Sequence, residues 1–167
     1  MQETPQQYVQ RILGNLEGKK AMDVLAATPR QVERLVKGVT KKRLGKRPAP
    51  EKWSVTEILA HLADAEIVHG FRIRLMLGSS GTVIQGFDQD VWARYSDYPS
   101  HDPALSLEGW RVNRERTLRL LKSLPKGRWD AYGIHSERGK ESVKRVSEMM
   151  AGHDINHMKQ IQAILKG

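Results

Sequence analysis

Near the C-terminal end of the chain, Val146, Met150, His153, His157, Ile161 and Ile164 follow one another at steps of four, three, four, four and three. That is the spacing of a single α-helical face, and it predicts a long amphipathic helix from about Glu141 to Lys166. Two of the six positions are histidine where a core residue is required. Histidines four apart project from one face, a turn from each other, so both imidazoles can reach one ion at ~2.0–2.1 Å. A buried imidazole must find partners for its ring nitrogens. A shared metal and a set of hydrogen-bond acceptors both answer that need, and this helix alone leaves the two readings open.

The rest of the chain also reads as helical. Aromatic residues are 6% of the sequence and sustained apolar/polar alternation is scarce, so strand signals are weak. Pro5 suits the start of a first helix, from about Thr4 to Glu17. Thr28-Pro29 looks like the cap and first turn of a second, ending near Gly38. Thr40 to Pro50 is basic and proline-bearing and reads as a connection. Ser54-Val55-Thr56-Glu57 is a capping box, which opens a third helix running to about Leu77. Ser79 to Gly86 reads as a glycine-containing loop, Asp88 to Tyr95 as a short helix, and Leu105 to Leu124 as the fourth long one. Lys126 to Lys140, rich in glycine and polar groups, reads as another loop. The long helices with uneven connections predict one all-α domain over residues 1–167, a four-helix bundle with irregular crossovers.

Composition removes several classes of function. The chain has 167 residues, enough for a single core. It has no cysteine, which excludes disulfides, thiolate ligands and cysteine nucleophiles. Any metal must be held by histidine or oxygen donors. No apolar run approaches the roughly 20 residues of a membrane helix, and the opening MQETPQQ lacks the layout of a signal peptide. The expectation is a soluble, cytoplasmic protein with no membrane partner. The formal net charge is +9. Its densest cluster, Lys41, Lys42, Arg43, Lys46 and Arg47, lies among Gly45, Pro48 and Pro50 without interleaved aromatics, so it reads as a solvated linker and not as a nucleic-acid surface.

A third histidine joins the first two. Ile58, His61, Leu62 and Ala65 follow the i, i+3, i+4, i+7 pattern, which puts His61 beside an inward face of the capped helix. A set of His61, His153 and His157 would leave coordination positions open, as catalytic sites do. Asp64, Asp154 and Glu57 are candidate acceptors for the outer ring nitrogens, with solvated charge as the alternative. His69, His101 and His135 stay outside the ligand set. Asp88 and Trp92, four apart, are candidates for an entrance wall, or else a capping aspartate and a packing tryptophan. Arg114 falls on the stripe Leu107, Trp110, Arg114, Thr117, Leu121, Leu124, where it can anchor an anionic substrate or pair with a buried carboxylate.

The segments KWSVTEILAHLADAE (Lys52 to Glu66), FDQDVWA (Phe87 to Ala93), HSERGKESV (His135 to Val143) and GHDINHMKQI (Gly152 to Ile161) together resemble the DinB-like superfamily, closest to its branch of metal-dependent hydrolases and bacillithiol-transferase-like proteins. The resemblance covers roughly Pro29 to Leu165. It implies a four-helix bundle, often a homodimer, with a nickel, zinc or iron site made by one mid-chain histidine and a C-terminal H-x-x-x-H. Those positions are His61, His153 and His157. Many relatives carry a further histidine where this chain has Asn156, a position that faces away from the 153/157 stripe. The implied function is a metal-dependent enzyme, thiol transferase or hydrolase, acting on a small molecule. With no cysteine in the chain, any thiol belongs to a low-molecular-weight substrate. The alternative is a non-catalytic binding protein whose metal is structural or vestigial.

Overall fold

The structure is a computed structural model that describes residues 3–167. Met1 and Gln2, which open the polar N-terminal segment, lie outside the described residues. Four long helices form a bundle: α2 (Ala21–Val36), α4 (Val55–Gly78), α6 (Pro103–Ser123) and α7 (Val143–Lys166). Both α2 and α4 pack on α6 and on α7, so consecutive long helices α2 and α4, and again α6 and α7, stand at diagonal corners. These diagonal steps are the irregular crossovers. The first passes through the short α3 (Lys41–Leu44), the second through a small sheet. A short α1 (Pro5–Gly14) lies along α7, and α5 (Gln89–Tyr95) follows the loop after α4.

Several helix starts obey local chemistry. Thr4 and Gln7 form a capping box on α1, and Ser54 and Glu57 form the predicted one on α4. Asp102 caps α6, with Pro103 at its first position. At Gly152 of α7 an added Cβ would lie 2.1 Å from the Ile12 carbonyl oxygen, so the absence of a side chain there sets how closely α1 approaches.

The second helix begins seven residues before the predicted Thr28 cap, and Thr28 and Pro29 are buried inside it. An interior proline removes the N–H that would bond the carbonyl four residues back. Here that carbonyl, of Leu25, accepts from Arg114 Nη1 at 3.1 Å, and the Thr28 hydroxyl donates to Asp154 Oδ2 at 2.6 Å. The last helix begins at Val143, two residues after the predicted start, because Glu141 and Ser142 belong to a strand.

Two segments read as loops contain strands. β1 (Thr82–Ile84) pairs in parallel with β2 (Tyr132–His135), and β2 pairs antiparallel with β3 (Gly139–Ser142). Gly139 closes the β2–β3 turn at φ +75°, a left-handed conformation that glycine adopts without cost. The register sets His135 beside Ile84. The basic connection is also more structured than a linker. Thr40 caps α3, Lys41 Nζ meets Asp102 at 2.6 Å, Arg43 donates to the Leu165 carbonyl at 2.7 Å, and Arg47 pairs with Glu57.

The core is divided. One apolar cluster contains Leu25, Ile73, Met76, Leu121, Val146 and Met150; the other contains Val32, Ile58, Leu62, Trp110 and Ile161. On each long helix a buried polar residue falls between the two: Thr28 on α2, Glu66 on α4, Arg114 on α6 and His157 on α7. The bundle therefore carries a polar layer across its middle, and the candidate site is built in that layer.

Candidate metal centre

His61 comes from the middle of α4, and His153 and His157 from successive turns of α7. All three are buried, at 1%, 8% and 7% exposure. One ring nitrogen from each lies within 4.8 Å of the others. His153 Nε2 is 2.9 Å from His61 Nε2 and 3.0 Å from His157 Nε2. The six-position stripe of α7 is buried or half-buried throughout, as its spacing predicts.

This arrangement can be tested for its fit to a metal. An imidazole nitrogen carries either one hydrogen or one lone pair. The single Nε2 of His153 therefore cannot make a full hydrogen bond to both neighbours, and protein contacts alone leave the cluster frustrated. A cation accepts all three lone pairs together. Ligands at ~2.0–2.1 Å stand ~3.3 Å apart at the tetrahedral angle, a few tenths of an ångström wider than the observed contacts. The donor set is all nitrogen, which suits zinc, nickel and iron.

Electrostatics keep the ligands in their binding form. Burial holds His61 and His153 well below the ordinary imidazole range, with neighbouring histidines adding to the effect. Burial lowers His157 to about 4. All three are neutral at pH 7, the form a metal requires. His157 Nδ1 meets Gln160 Oε1 at 2.8 Å, which orients the ring so that Nε2 faces the cluster. His61 Nδ1 has no partner among the described residues, and the Trp53 ring packs beside it at 5.0 Å between centroids.

The carboxylates named as acceptors serve elsewhere. Asp154 takes Thr28 and Arg114, Glu57 takes Arg47 and the Ser54 backbone, and Asp64 accepts from the Tyr98 hydroxyl at 2.6 Å. Gln160, which does orient a ligand, was readable as the i+3 neighbour of His157 but carried no signal beyond that spacing. Arg114 is buried against two carboxylates: it meets Asp154 at 2.6 Å and Glu66 at 2.7 Å. Asp88 caps α5 by accepting from Asp90 and Val91, and Trp92 packs on Phe87 at 5.0 Å. None of Asp88, Trp92 and Arg114 lines the cavity at the triad. Asn156 accepts from Arg11 at 3.3 Å, away from the ligand nitrogens.

The cavity has a volume of about 290 Å³ and is lined by His61 and His153 on one side. Its other walls include Tyr8, His69, Arg72, His135 and Arg138. His69, two turns beyond His61 and read as a packing residue, and His135, read as part of a glycine-containing loop, stand outside the expected ligand set; the fold brings both to the cavity.

Known proteins share this architecture. A candidate metal-dependent hydrolase of Oceanobacillus iheyensis is 26% identical over 132 residues, which is 78% of this chain and 75% of that protein. YfiT of Bacillus subtilis, also named as a candidate metal-dependent hydrolase, is 27% identical over 105 residues, 63% of this chain and 59% of that one. The solved structure of YfiT, described as an unusual four-helix bundle, superposes with a TM-score of 0.82 at 21% identity, covering 87% of this chain and 84% of the other. The DinB superfamily model matches residues 25–161, a span that takes in α4 and α6, most of α2 and α7 and all three clustered histidines, and the chain accordingly belongs to the DinB superfamily.

Proposed function

We propose that the protein is a metal-dependent enzyme that acts on a small molecule at the His61–His153–His157 centre. The observation that carries this reading is the meeting of three buried, neutral imidazoles, two of which, His61 and His153, line a cavity. The candidate hydrolase names of its relatives support it at the same level of detail. A divalent ion held there supplies Lewis-acid chemistry, lowering the pKa of a thiol or a water and polarising an electrophile. The protein's part is to hold the three ligands neutral, to orient His157 through Gln160, and to limit solvent at the reacting end of the cavity.

Between transfer of a thiol and hydrolysis, one observation favours transfer. Glu57, Asp64 and Asp154, the acids that flank the ligands in sequence, are each committed to another partner. A thiol, with an ordinary pKa near ~8.5, needs less help from a general base than water at ~15.7. With no cysteine in the chain, the thiol must come from solution, as a low-molecular-weight substrate. We also infer a homodimer, supported by exposed apolar side chains at Ile67 and Phe71 on α4 and at Val83 and Ile134, which are register partners in the sheet.

The test is metal content by mass spectrometry on protein purified without tag or chelator, followed by parallel assays of thiol addition to electrophiles and of ester and amide hydrolysis. About one metal per chain with thiol-dependent turnover supports the transferase. Thiol-independent turnover supports the hydrolase. Metal without either activity supports the binding-protein alternative.

A further inference from the structure

Arg72 is a buried cation with no direct ion pair among the described residues, although Glu141 and Glu137 act on it at longer range. It lies on α4, is 4% exposed and lines the cavity. Its Nη2 donates to the Gln85 carbonyl at 2.6 Å, and its guanidinium lies 5.7 Å from the centre of the Phe87 ring. Among the described residues no carboxylate stands within ion-pair distance of it, and its Nε and Nη1 make no hydrogen bond. The cavity's acids do not fill this role. Glu141 holds Arg138 with both oxygens, at 2.8 and 3.0 Å, and Glu3 holds Arg11 at 2.8 and 2.9 Å. Glu137 is on the exposed turn over Gly86. Burial and the nearby Arg138 lower Arg72 to about 10, which still leaves it fully cationic at neutral pH.

A second group in the same wall has a donor left over. His135 is 2% exposed, and its Nδ1 accepts the Glu137 backbone N–H at 3.1 Å. An Nδ1 lone pair used in this way puts the hydrogen of the neutral ring on Nε2. That Nε2–H has no acceptor among the described residues. Burial, with the charges of Arg138 and Arg72, lowers His135 to about 4, so it remains a neutral donor at pH 7. Buried polar groups are ordinarily paired, and the unpaired His135 Nε2–H with the unused Nε and Nη1 of Arg72 offers donors in one wall to an acceptor from outside the chain.

We propose that this cavity is a receptor for a monoanionic carboxylate, with Arg72 as its ion-pair partner and His135 Nε2–H as a second donor. Arg72, a lining cation without a direct ion pair, beside a neutral N–H suits one carboxylate, and the carboxylates of Glu137 and Glu141 in the same lining repel a dianion such as phosphate more strongly than a monoanion. The volume of about 290 Å³ is at the small end of the ~300–1,000 Å³ typical of ligand pockets, so the ligand is a small organic acid. Because His61 and His153 line the same cavity, the carboxylate anchors a substrate whose far end lies at the triad. That last link rests on the metal-centre reading; the anion site itself does not.

Propionate is the probe. Metal-free and zinc-loaded protein are titrated with it at constant ionic strength, following the His135 ring nitrogens by NMR and the melting temperature, with sodium chloride and inorganic phosphate in parallel. The proposal expects a saturable shift of His135 Nε2 and a rise in Tm in both forms, weaker binding of phosphate, and at least tenfold weaker propionate binding in Arg72→Gln, with part retained in Arg72→Lys. The wild-type ring shift is decisive even where a variant does not fold. Propionate that leaves His135 where chloride leaves it overturns the proposal, as does binding unchanged in Arg72→Gln. Binding confined to zinc-loaded protein and insensitive to Arg72→Gln makes the carboxylate a ligand of the ion, which overturns the subsite and keeps the metal centre. Arg72-dependent binding in a protein that takes up no zinc upholds the subsite and removes the metal-centre reading.

Discussion

Arg114 and Arg72 are both buried arginines, and the fold surrounds them differently. Arg114 donates to Asp154, to Glu66 and to the Leu25 carbonyl. Arg72 donates to one loop carbonyl and faces a cavity. The first sits in a nearly closed network, with Glu66 Oε1 left unpaired among the described residues, that ties α2, α4, α6 and α7 together at the polar layer. The second shares its cavity with His135, whose Nε2 is unpaired, and with two of the clustered histidines. A bundle of this size can carry polar groups through its middle when one part of the layer is paired internally. The unpaired part is then left available for a ligand.

The largest expected effect breaks the closed side. Arg114→Leu leaves two carboxylates buried without their cation and the Leu25 carbonyl without a donor. Removing one partner of a buried ion network costs about 3–5 kcal/mol, which urea or thermal denaturation reads directly. Arg72→Met, by contrast, is expected to change the stability of the metal-free protein by no more than about 1 kcal/mol, since one hydrogen bond is lost and an unpaired charge removed. Equal losses in the two variants would end the distinction between them.

Next in size is the triad. His157→Ala is expected to abolish stoichiometric metal, measured by mass spectrometry, while far-UV circular dichroism remains that of the folded helices. Wholesale unfolding in that variant would make the histidines structural.

Acid tests the same region by a different route. The folded-state values of His61, His153 and His157 lie below the ordinary 6.5, His157 at about 4. Between about 6.5 and 4 the unfolded chain binds protons that the native chain does not, so stability is present above 6.5 and falls as the pH drops through this window. Protons compete with metal over the same range. Melting of metal-free protein at pH 7 and pH 5, with metal retention measured beside it, should show both losses. Retention unchanged at pH 5 would argue against an imidazole shell.

The smallest effect concerns Gln160. Replacing it with alanine removes the group that orients His157 but no ligand, and a loss of about 10- to 100-fold in metal affinity is expected, read by competition with a chelator. Affinity unchanged in Gln160→Ala would mean that packing alone sets the His157 ring.

What could be read from sequence was local. The capping box at Ser54–Glu57 is written in residues three apart, and so is the inward face of α7. The histidine pair on α7 was legible for the same reason, since His153 and His157 occupy a face whose other members are apolar. The misread start of α2 shows where locality ends. Thr28-Pro29 has the chemistry of a helix beginning, yet the missing proline N–H is offset by Arg114, which is distant in the chain. Asp154, adjacent to a ligand in sequence, serves that arginine and not the imidazole. The strands escaped notice because each is three or four residues long. β1 and β2 pair across a separation of about fifty residues, with too little alternation in either to announce it.

By itself the sequence determined the helical class, the capping box that opens α4 and a face of α7 that must hold two imidazoles, because hydrogen bonds and side-chain periodicity within one helix depend on near neighbours alone. Only the tertiary structure decided that His61 completes the cluster, that Arg114 is ion-paired while Arg72 is not, and that His135 is carried by a strand to the cavity of Arg72. Those outcomes depend on which helices stand diagonal and which adjacent. Burial, and the charges that burial brings together, are properties of the packed bundle and not of any one segment.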